Sequence, residues 1–585
     1  MAPRPDPAPA AATATAAADA AAVLGRCIDQ ALGRQDADLV IRDTRFLNVV
    51  TGEVARGDIA VCGDRIVGTY DSYRGRQEID GRDLVCVPGF IDTHVHCEST
   101  LVSPLEFDRC VLPRGTTTAI CDPHEMCNVL GRTGLDYFTA AAEATALDLR
   151  VQLSSCVPAT DLETAAARLT AADLLPYRPH PKVIGLAEFM NVPGVLHKDP
   201  EVLEKLAAFQ GGHIDGHAPL LSGHDLNAYL ACGVKNCHET TSYDEAMEKL
   251  RKGMQLLIRE GTVSKDVEAL LPALTAETSS FCGFCTDDRN PLDIAEEGHL
   301  DHVIRKAIAG GAPLAHVYRA ATWSAAMGFG LSDRGLIAPG KRADIVLLGD
   351  LESCDVQGVI SAGRVVTPDL FAGRRAPDPV GLDSVKLAPV TATAFAAPAS
   401  GPTGPVIGIT AGRIVTEHLR ESLPYRDGLR HADPARDLLK VCVLARHGVN
   451  TNIGRGFVKG FGFRSGALAS SVGHDSHNVC VVGACDADMA VAVNRLIELG
   501  GGFVAVQDGR VLADLPLPMA GLMSLDPFER VRERLEHLRA AVRAMGCPLP
   551  EPFLQLAFLP LPVIPHLKIT DKGLVDVDRF ELIAA

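Results

Sequence analysis

The stretch VPGFIDTHVH, residues 87–96, decides how this chain is read. An apolar run ends in two histidines two residues apart. On a strand, residues i and i+2 project to the same side, so His94 and His96 can reach one metal ion. Seven more runs of this kind follow: TTTAICDPHE (116–125), VQLSSC (151–156), VIGLAE (183–188), HIDGH (213–217), VKNCHE (234–239), MQLLIRE (254–260) and FCGFCTDD (281–288). Each is short and apolar, ends in polar residues and leads into a helical stretch. Eight such runs, recurring about every 20–30 residues over roughly 240, match the size and rhythm of an eightfold β/α barrel. In that fold the chemistry sits at the C-terminal ends of the strands, where these polar residues fall.

The flanks have a different texture. Residues 37–70 and 336–366 alternate apolar and polar positions between Gly-containing turns, the pattern of short strands. Two strand-rich pieces on either side of a long middle predict one small β domain built from both ends. Residues 371–405 are rich in Pro, Ala, Thr and Gly and read as a linker region. From 406 to 585 a third region holds strands, a helix near DADMAVAVNRLIELGGG and another near DPFERVRERLEHLRAAVRAMG. The glycines 500–502 follow the first of these helices and read as its stop. Residues 1–22, Ala/Pro-rich, are expected to form a disordered tail, with a helix starting near its end and Asp19 as N-cap.

At ~150 residues per domain, 585 residues predict roughly four domains; the patterns reduce this to three units. The net charge of −17 argues against a nucleic-acid polymer or an anionic membrane surface as partner. Seventeen scattered cysteines in so long a chain suit a reducing cytoplasm better than a disulfide scaffold. No apolar run reaches the ~18 residues of a membrane span. Cys282 and Cys285 lie inside an apolar run without a second pair and are expected in the core.

Four more run ends carry candidate ligands. Glu188 ends VIGLAE, and a carboxylate there can give one oxygen to each of two ions. His217 and His238 occupy equivalent places in the rhythm, unlike His213, His224, His299 and His302, which read as ordinary. Asp287 can bind metal and shuttle protons, while the adjacent Asp288 points elsewhere, toward substrate or as a helix N-cap. Four imidazoles and two carboxylates suit Mn²⁺, Fe²⁺ or Zn²⁺. The reaction class is metal-assisted hydrolysis.

These residues resemble the amidohydrolase superfamily and, within it, the adenine deaminases. The broader marks are PGFIDTHVH (88–96) and GLIAPGKRADIVLL (335–348). The narrower ones include HVHCEST, CDPHEMCNVLG, GLAEFMNVPGV, CHETTSYDEAMEKLRKGM, CTDDRNPLDI and GFVKGFGFRSGALASSVGHDSHN. The resemblance implies a composite β-sandwich (23–87 with 331–370), a distorted TIM-type α/β barrel (88–330) and a C-terminal α+β domain of the adenine deaminase type (406–585). It implies a binuclear centre of His94, His96, bridging Glu188, His217, His238 and Asp287, with two divalent ions, Mn²⁺ above Fe²⁺ or Zn²⁺. Catalysis would rest on Asp287, Glu188 and His238. The implied reaction converts adenine and water to hypoxanthine and ammonia, a purine-salvage step in which a metal-activated hydroxide attacks C6 and Asp287 moves the proton. Asp288 would hydrogen-bond the ring at N7, and His124 and Glu125, at the end of the second run, would contact substrate or tune a metal. Arg259 and Glu260 are weaker candidates. In the HDSHN segment, His474 and His477 either close over the barrel mouth, hold an extra metal, or form a plain polar turn.

The other readings are a deaminase of N6-substituted adenine or another aminopurine, and a non-catalytic scaffold. Six intact ligands argue against the scaffold. A hydrolase of cyclic amides would more often bridge its metals with a lysine, which VIGLAE lacks. A cytoplasmic homo-oligomer acting on a small molecule is expected.

Overall fold

The computed structural model describes residues 8–584. All eight apolar runs are strands: β1 (Phe90–Val95), β2 (Thr116–Cys121), β3 (Asp148–Leu153), β4 (Val183–Phe189), β5 (His213–Gly216), β6 (Asn236–Cys237), β7 (Gln255–Arg259) and β8 (Cys282–Cys285). They form two parallel arcs, β1 to β5 and β6 to β8. One seam is joined by the parallel bridge of Val95 with Asp287, where Asp287 N–H donates to the His94 carbonyl at 2.9 Å. At the other, Lys235 N–H donates to the Ile214 carbonyl at 3.0 Å. The result is a TIM-type barrel. Its strands are buried on both faces, which is why they read as continuous apolar runs rather than as alternation. Ile91, Ile120, Leu257 and Cys285 pack together in one cluster, and both Cys282 and Cys285 are core residues.

The barrel hangs from a sheet that combines both flanks. Strands Ala37–Leu47, Val54–Cys62, Arg65–Thr69, Gly75–Asp80 and Val85–Pro88 join Ile345–Leu348, Val356–Ser361 and Arg364–Val365 in one eight-stranded sheet. The junction is antiparallel, with Pro88 opposite Ile345 and Val85 opposite Leu348. The chain passes from this sheet into β1 at Gly89, where a Cβ would stand 2.1 Å from Thr117 Oγ1. Only glycine fits there.

The C-terminal region contains an eight-stranded mixed sheet between Thr403 and Pro516. Helix Asp486–Leu499 covers it through Met489, Ala492, Val493 and Leu496. That helix ends at Gly500, whose φ of 73° is the left-handed cap the glycine run announced. The domain is seated on the barrel by polar contacts. Arg109 pairs with Glu529 at 2.6 Å, Glu106 accepts from Phe528 N–H at 3.0 Å, and Asn478 donates to the Thr164 carbonyl at 2.9 Å.

Two expectations need correction. Helix Ala8–Ala31 begins well inside the segment taken as tail, because its alanines have the highest helix propensity. Asp19 is therefore interior to the helix and not its N-cap; residues 1–7 lie outside the described residues. The 371–405 segment is irregular in backbone but not a free linker, since Val385, Leu387 and Val390 pack on the C-terminal core. Among the described residues no helix is long and apolar enough to cross a membrane.

Candidate active site

Strand ends β1, β4, β5, β6 and β8 bring His94, His96, Glu188, His217, His238 and Asp287 to one point. All six are at most 6% exposed. His94 and His96, on the same side of β1, face each other through their Nε2 atoms at 3.1 Å. Glu188 spans the site. Its Oε1 lies 3.5 and 3.3 Å from the Nε2 atoms of His94 and His96. Its Oε2 lies 2.7 Å from His217 Nδ1 and 3.4 Å from His238 Nε2. Asp287 Oδ1 is 3.1 Å from His96 Nε2. The rings of His94 and His238 stack at 4.0 Å.

The far nitrogens identify which atoms are available as ligands. His96 Nδ1 lies 3.0 Å from the Asp122 carbonyl, which only accepts, so this nitrogen carries the proton and Nε2 offers its lone pair. His94 Nδ1 lies 3.2 Å from Asp215 Oδ2 and is turned the same way. Lone pairs and carboxylate oxygens thus converge with no donor between them, an arrangement that a cation satisfies. The carboxylates create a demand for positive charge at this point, which a proton on a ring or a cation can meet. Burial opposes protonating the rings, yet hydrogen bonds to Asp215 and Glu188 pull His94 up to about 10, and those to Asp287 and Glu188 pull His96 well above its usual value. Against the same burial, His217, His238, His94 and His96 hold Glu188 well below the normal carboxylate range. His96, Arg259 and His238 do the same for Asp287.

Several residues around this centre were not singled out from the sequence. Asp215 holds both His94 and His213, the latter at 3.2 Å. Its own signal was its place in HIDGH, two residues before His217. Such carboxylate partners typically strengthen metal binding 10–100-fold. Asp215→Asn should accordingly weaken metal affinity about tenfold to a hundredfold in a competition titration with a chelator, leaving the fold intact by circular dichroism.

Arg259 is more than the weak candidate it first seemed from sequence. Fully buried, it donates to Asp287 Oδ2 at 2.8 Å, to Asp266 Oδ2 at 3.2 Å and to both oxygens of Glu239. Glu260 turns away and pairs with Lys306 at 2.8 Å. Asp288 is not a helix cap, because Asn290 caps helix Pro291–Glu296 by accepting from Asp293 N–H. Instead Asp288 pairs with Ser99 Oγ, whose single proton is shared between Asp288 and Glu125 Oε1, the latter at 3.0 Å. His124 lies beside the centre, 3.5 Å from Glu188 Oε1. His213 and His299 have ordinary supporting roles: His213 stacks on Phe329, and His299 sits 2.8 Å from Asp92.

The C-terminal domain roofs the site. Ile414, His474, Asp475, Phe558 and Leu561 line the same pocket as His96, Glu188 and Asp288. Beside it lies a vestibule of about 780 Å³ between barrel and roof. Glu239, Arg259, Ser264 and Ile414 border both spaces and connect them.

A parallel barrel with buried imidazoles and carboxylates at its C-terminal end defines the class, and comparison with known proteins bears on it directly. Residues 85–366 match the amidohydrolase family, which implies a divalent metal centre, and residues 413–581 match the adenine deaminase C-terminal domain. An adenine deaminase of Gluconobacter oxydans is 64% identical over 553 residues, 94% of this chain and 98% of that one. Adenine deaminases of Methylobacterium nodulans and Sinorhizobium fredii are 63% and 61% identical, covering 96% of this chain and 100% and 99% of theirs. The chain belongs to the adenine deaminase family of amidohydrolases.

Proposed function

We propose that the protein hydrolyses adenine to hypoxanthine and ammonia, with two divalent ions held by His94, His96, Glu188, His217, His238 and Asp287. The observation that carries this reading is the Glu188 carboxylate. One oxygen faces the β1 histidines and the other faces His217 and His238, which suits a bridge between two ions. Nitrogen and oxygen donors of this kind suit manganese, with iron and zinc as chemically acceptable substitutes. A bound divalent ion lowers the pKa of its water from 15.7 to about 7, which makes a nucleophile available at neutral pH.

The chain's own residues do the rest. Asp287 is pinned through Oδ2 by Arg259 and presents Oδ1 to the centre. Kept ionised by its neighbours, it accepts the proton of the attacking water as the oxygen bonds to C6. It returns that proton to the amine as the C6–N6 bond breaks. Water, adenine, hypoxanthine and ammonia balance without a further reactant. Asp288, oriented by Ser99, accepts a hydrogen bond from the purine and so favours the N7–H tautomer of the free base. Met190, Ile414, Phe558 and Leu561 provide apolar walls for a flat ring, and the roof excludes bulk water.

The same site in a wider pocket would take N6-substituted adenines, so the test covers both. Ammonia or methylamine release is followed from adenine, 6-methyladenine, adenosine and cytosine with Mn²⁺-loaded protein. Turnover of adenine at least about a hundredfold above the others is expected. No release from any aminopurine by protein with two metals bound would refute the assignment.

A further inference from the structure

We propose that His124, His474 and Asp475 form a third divalent-cation site, separate from the six donors above and shared between the barrel and the C-terminal domain. One nitrogen of each ring and one Asp475 oxygen lie within 4.8 Å of one another. His124 Nε2 is 3.4 Å from Asp475 Oδ1, and His474 Nδ1 is 3.8 Å from the same oxygen. Ligand atoms around a first-row ion at about 2.0–2.2 Å stand roughly 3.0–3.6 Å apart. The three groups are therefore within a small side-chain adjustment of a coordination triangle.

Burial makes the arrangement consequential. All three residues are at most 3% exposed, and of the three atoms that face one another His124 Nε2 has no hydrogen-bond partner. Unpaired buried polar atoms are expensive. His124 Nδ1 is engaged by Asp122 Oδ2 at 3.1 Å, which leaves the Nε2 lone pair directed at the Asp475 carboxylate. Carboxylate-held imidazoles of this kind are how proteins orient metal ligands. A lone pair facing a carboxylate oxygen calls for positive charge between them. Glu125 Oε1, 4.0 Å from His474 Nδ1, adds a further negative group.

The two histidines of HDSHN separate on this geometry. His477 Nδ1 accepts from Gly473 N–H at 3.2 Å, so the neutral ring carries its proton on Nε2. That protonated nitrogen lies 3.9 Å from Glu125 Oε2, too far for a hydrogen bond, and offers no lone pair to an ion. His477 is thus a positioning residue and not a ligand. Two imidazoles and one carboxylate, with room for water, suit Zn²⁺, Mn²⁺ or Fe²⁺. Such an ion would tie the loop after β2 to the roof.

The experiment is metal counting on full-length protein loaded with Mn²⁺ or Zn²⁺ and freed of excess ion. Three equivalents per chain are expected in the parent, two in Asp475→Asn and in His474→Gln, and three in His477→Gln. Glu188→Gln should lose the paired ions while keeping the third, which distinguishes this site from the proposed centre. Anomalous diffraction from parent crystals should show a peak between His124 and Asp475, and this holds as a test even if a variant fails to fold. A parent with no anomalous peak there, or counts unchanged in both Asp475→Asn and His474→Gln, would overturn the proposal.

Discussion

Replacing Glu188 by Gln is expected to strip the paired ions and lower kcat/KM by at least about 10⁴-fold, some 5.5 kcal/mol of transition-state stabilisation. The geometry explains so large an effect from one atom's replacement. Both oxygens of Glu188 face imidazole nitrogens, at 2.7 Å on one side and 3.3 Å on the other. An amide can present only one oxygen. Its NH₂ would point at lone pairs that should meet a cation, and the negative charge that offsets the ions would vanish. The carboxylate is also buried, so water cannot substitute for it. Metal analysis alongside an ammonia assay checks this directly: a variant with two ions and parental turnover would remove the bridge.

The second large effect is expected for Asp287→Asn, a fall of about 10³-fold in kcat with KM changed less than threefold. General acid–base groups typically contribute 10²–10⁴-fold, and Asn cannot carry a proton between water and amine. Asparagine keeps the side chain's shape, but its one oxygen can serve Arg259 or the centre and not both, so metal content is measured with kcat to separate loss of an ion from loss of the proton carrier. Because its neighbours hold Asp287 well below the usual carboxylate range, the group stays ionised, and able to accept a proton, down to acidic pH. The proton-accepting form of Asp287 is therefore retained as pH falls through the ordinary carboxylate range, and loss of activity there in a pH profile would report protonation of the histidine ligands instead. A variant within tenfold of parental kcat would show that another residue moves the proton.

Much of this was legible in the amino-acid sequence, for identifiable reasons. Parallel strands covered on both faces must be apolar along their length, and a barrel places its polar residues at one end of each. Eight such runs therefore marked the barrel, and their last residues marked the side chains that converge at its C-terminal end. His217 and His238 were distinguishable from His213 only by that position. What pairs with a donor was less visible. Asp215 and Asp122 act through ring nitrogens whose direction depends on three-dimensional orientation. Arg259 looked marginal because its three carboxylate partners come from β6, β8 and the loop after β7. The Ala-rich start was misread because its prolines drew attention from its helix propensity. For the roof, the sequence offered only closure of HDSHN over the barrel mouth as one of three readings: His124 and Asp475 are some 350 positions apart and meet only when two domains dock.

The antiparallel pairing of Pro88 with Ile345 bears on how the chain is made. The barrel is an insertion into a sheet, and its two ends leave side by side. On a ribosome adding ~5–20 residues per second, the edge at Val85–Pro88 waits about 13–50 seconds for its partner Ile345–Leu348 to be synthesised. Throughout that interval an apolar strand edge is open to neighbours on the same polysome. Sealing it requires a barrel already folded well enough to return the chain to its starting point. Completion of the sheet thus depends on the barrel: until the barrel has closed, the edge at Val85–Pro88 lacks the strand Ile345–Leu348 that covers it.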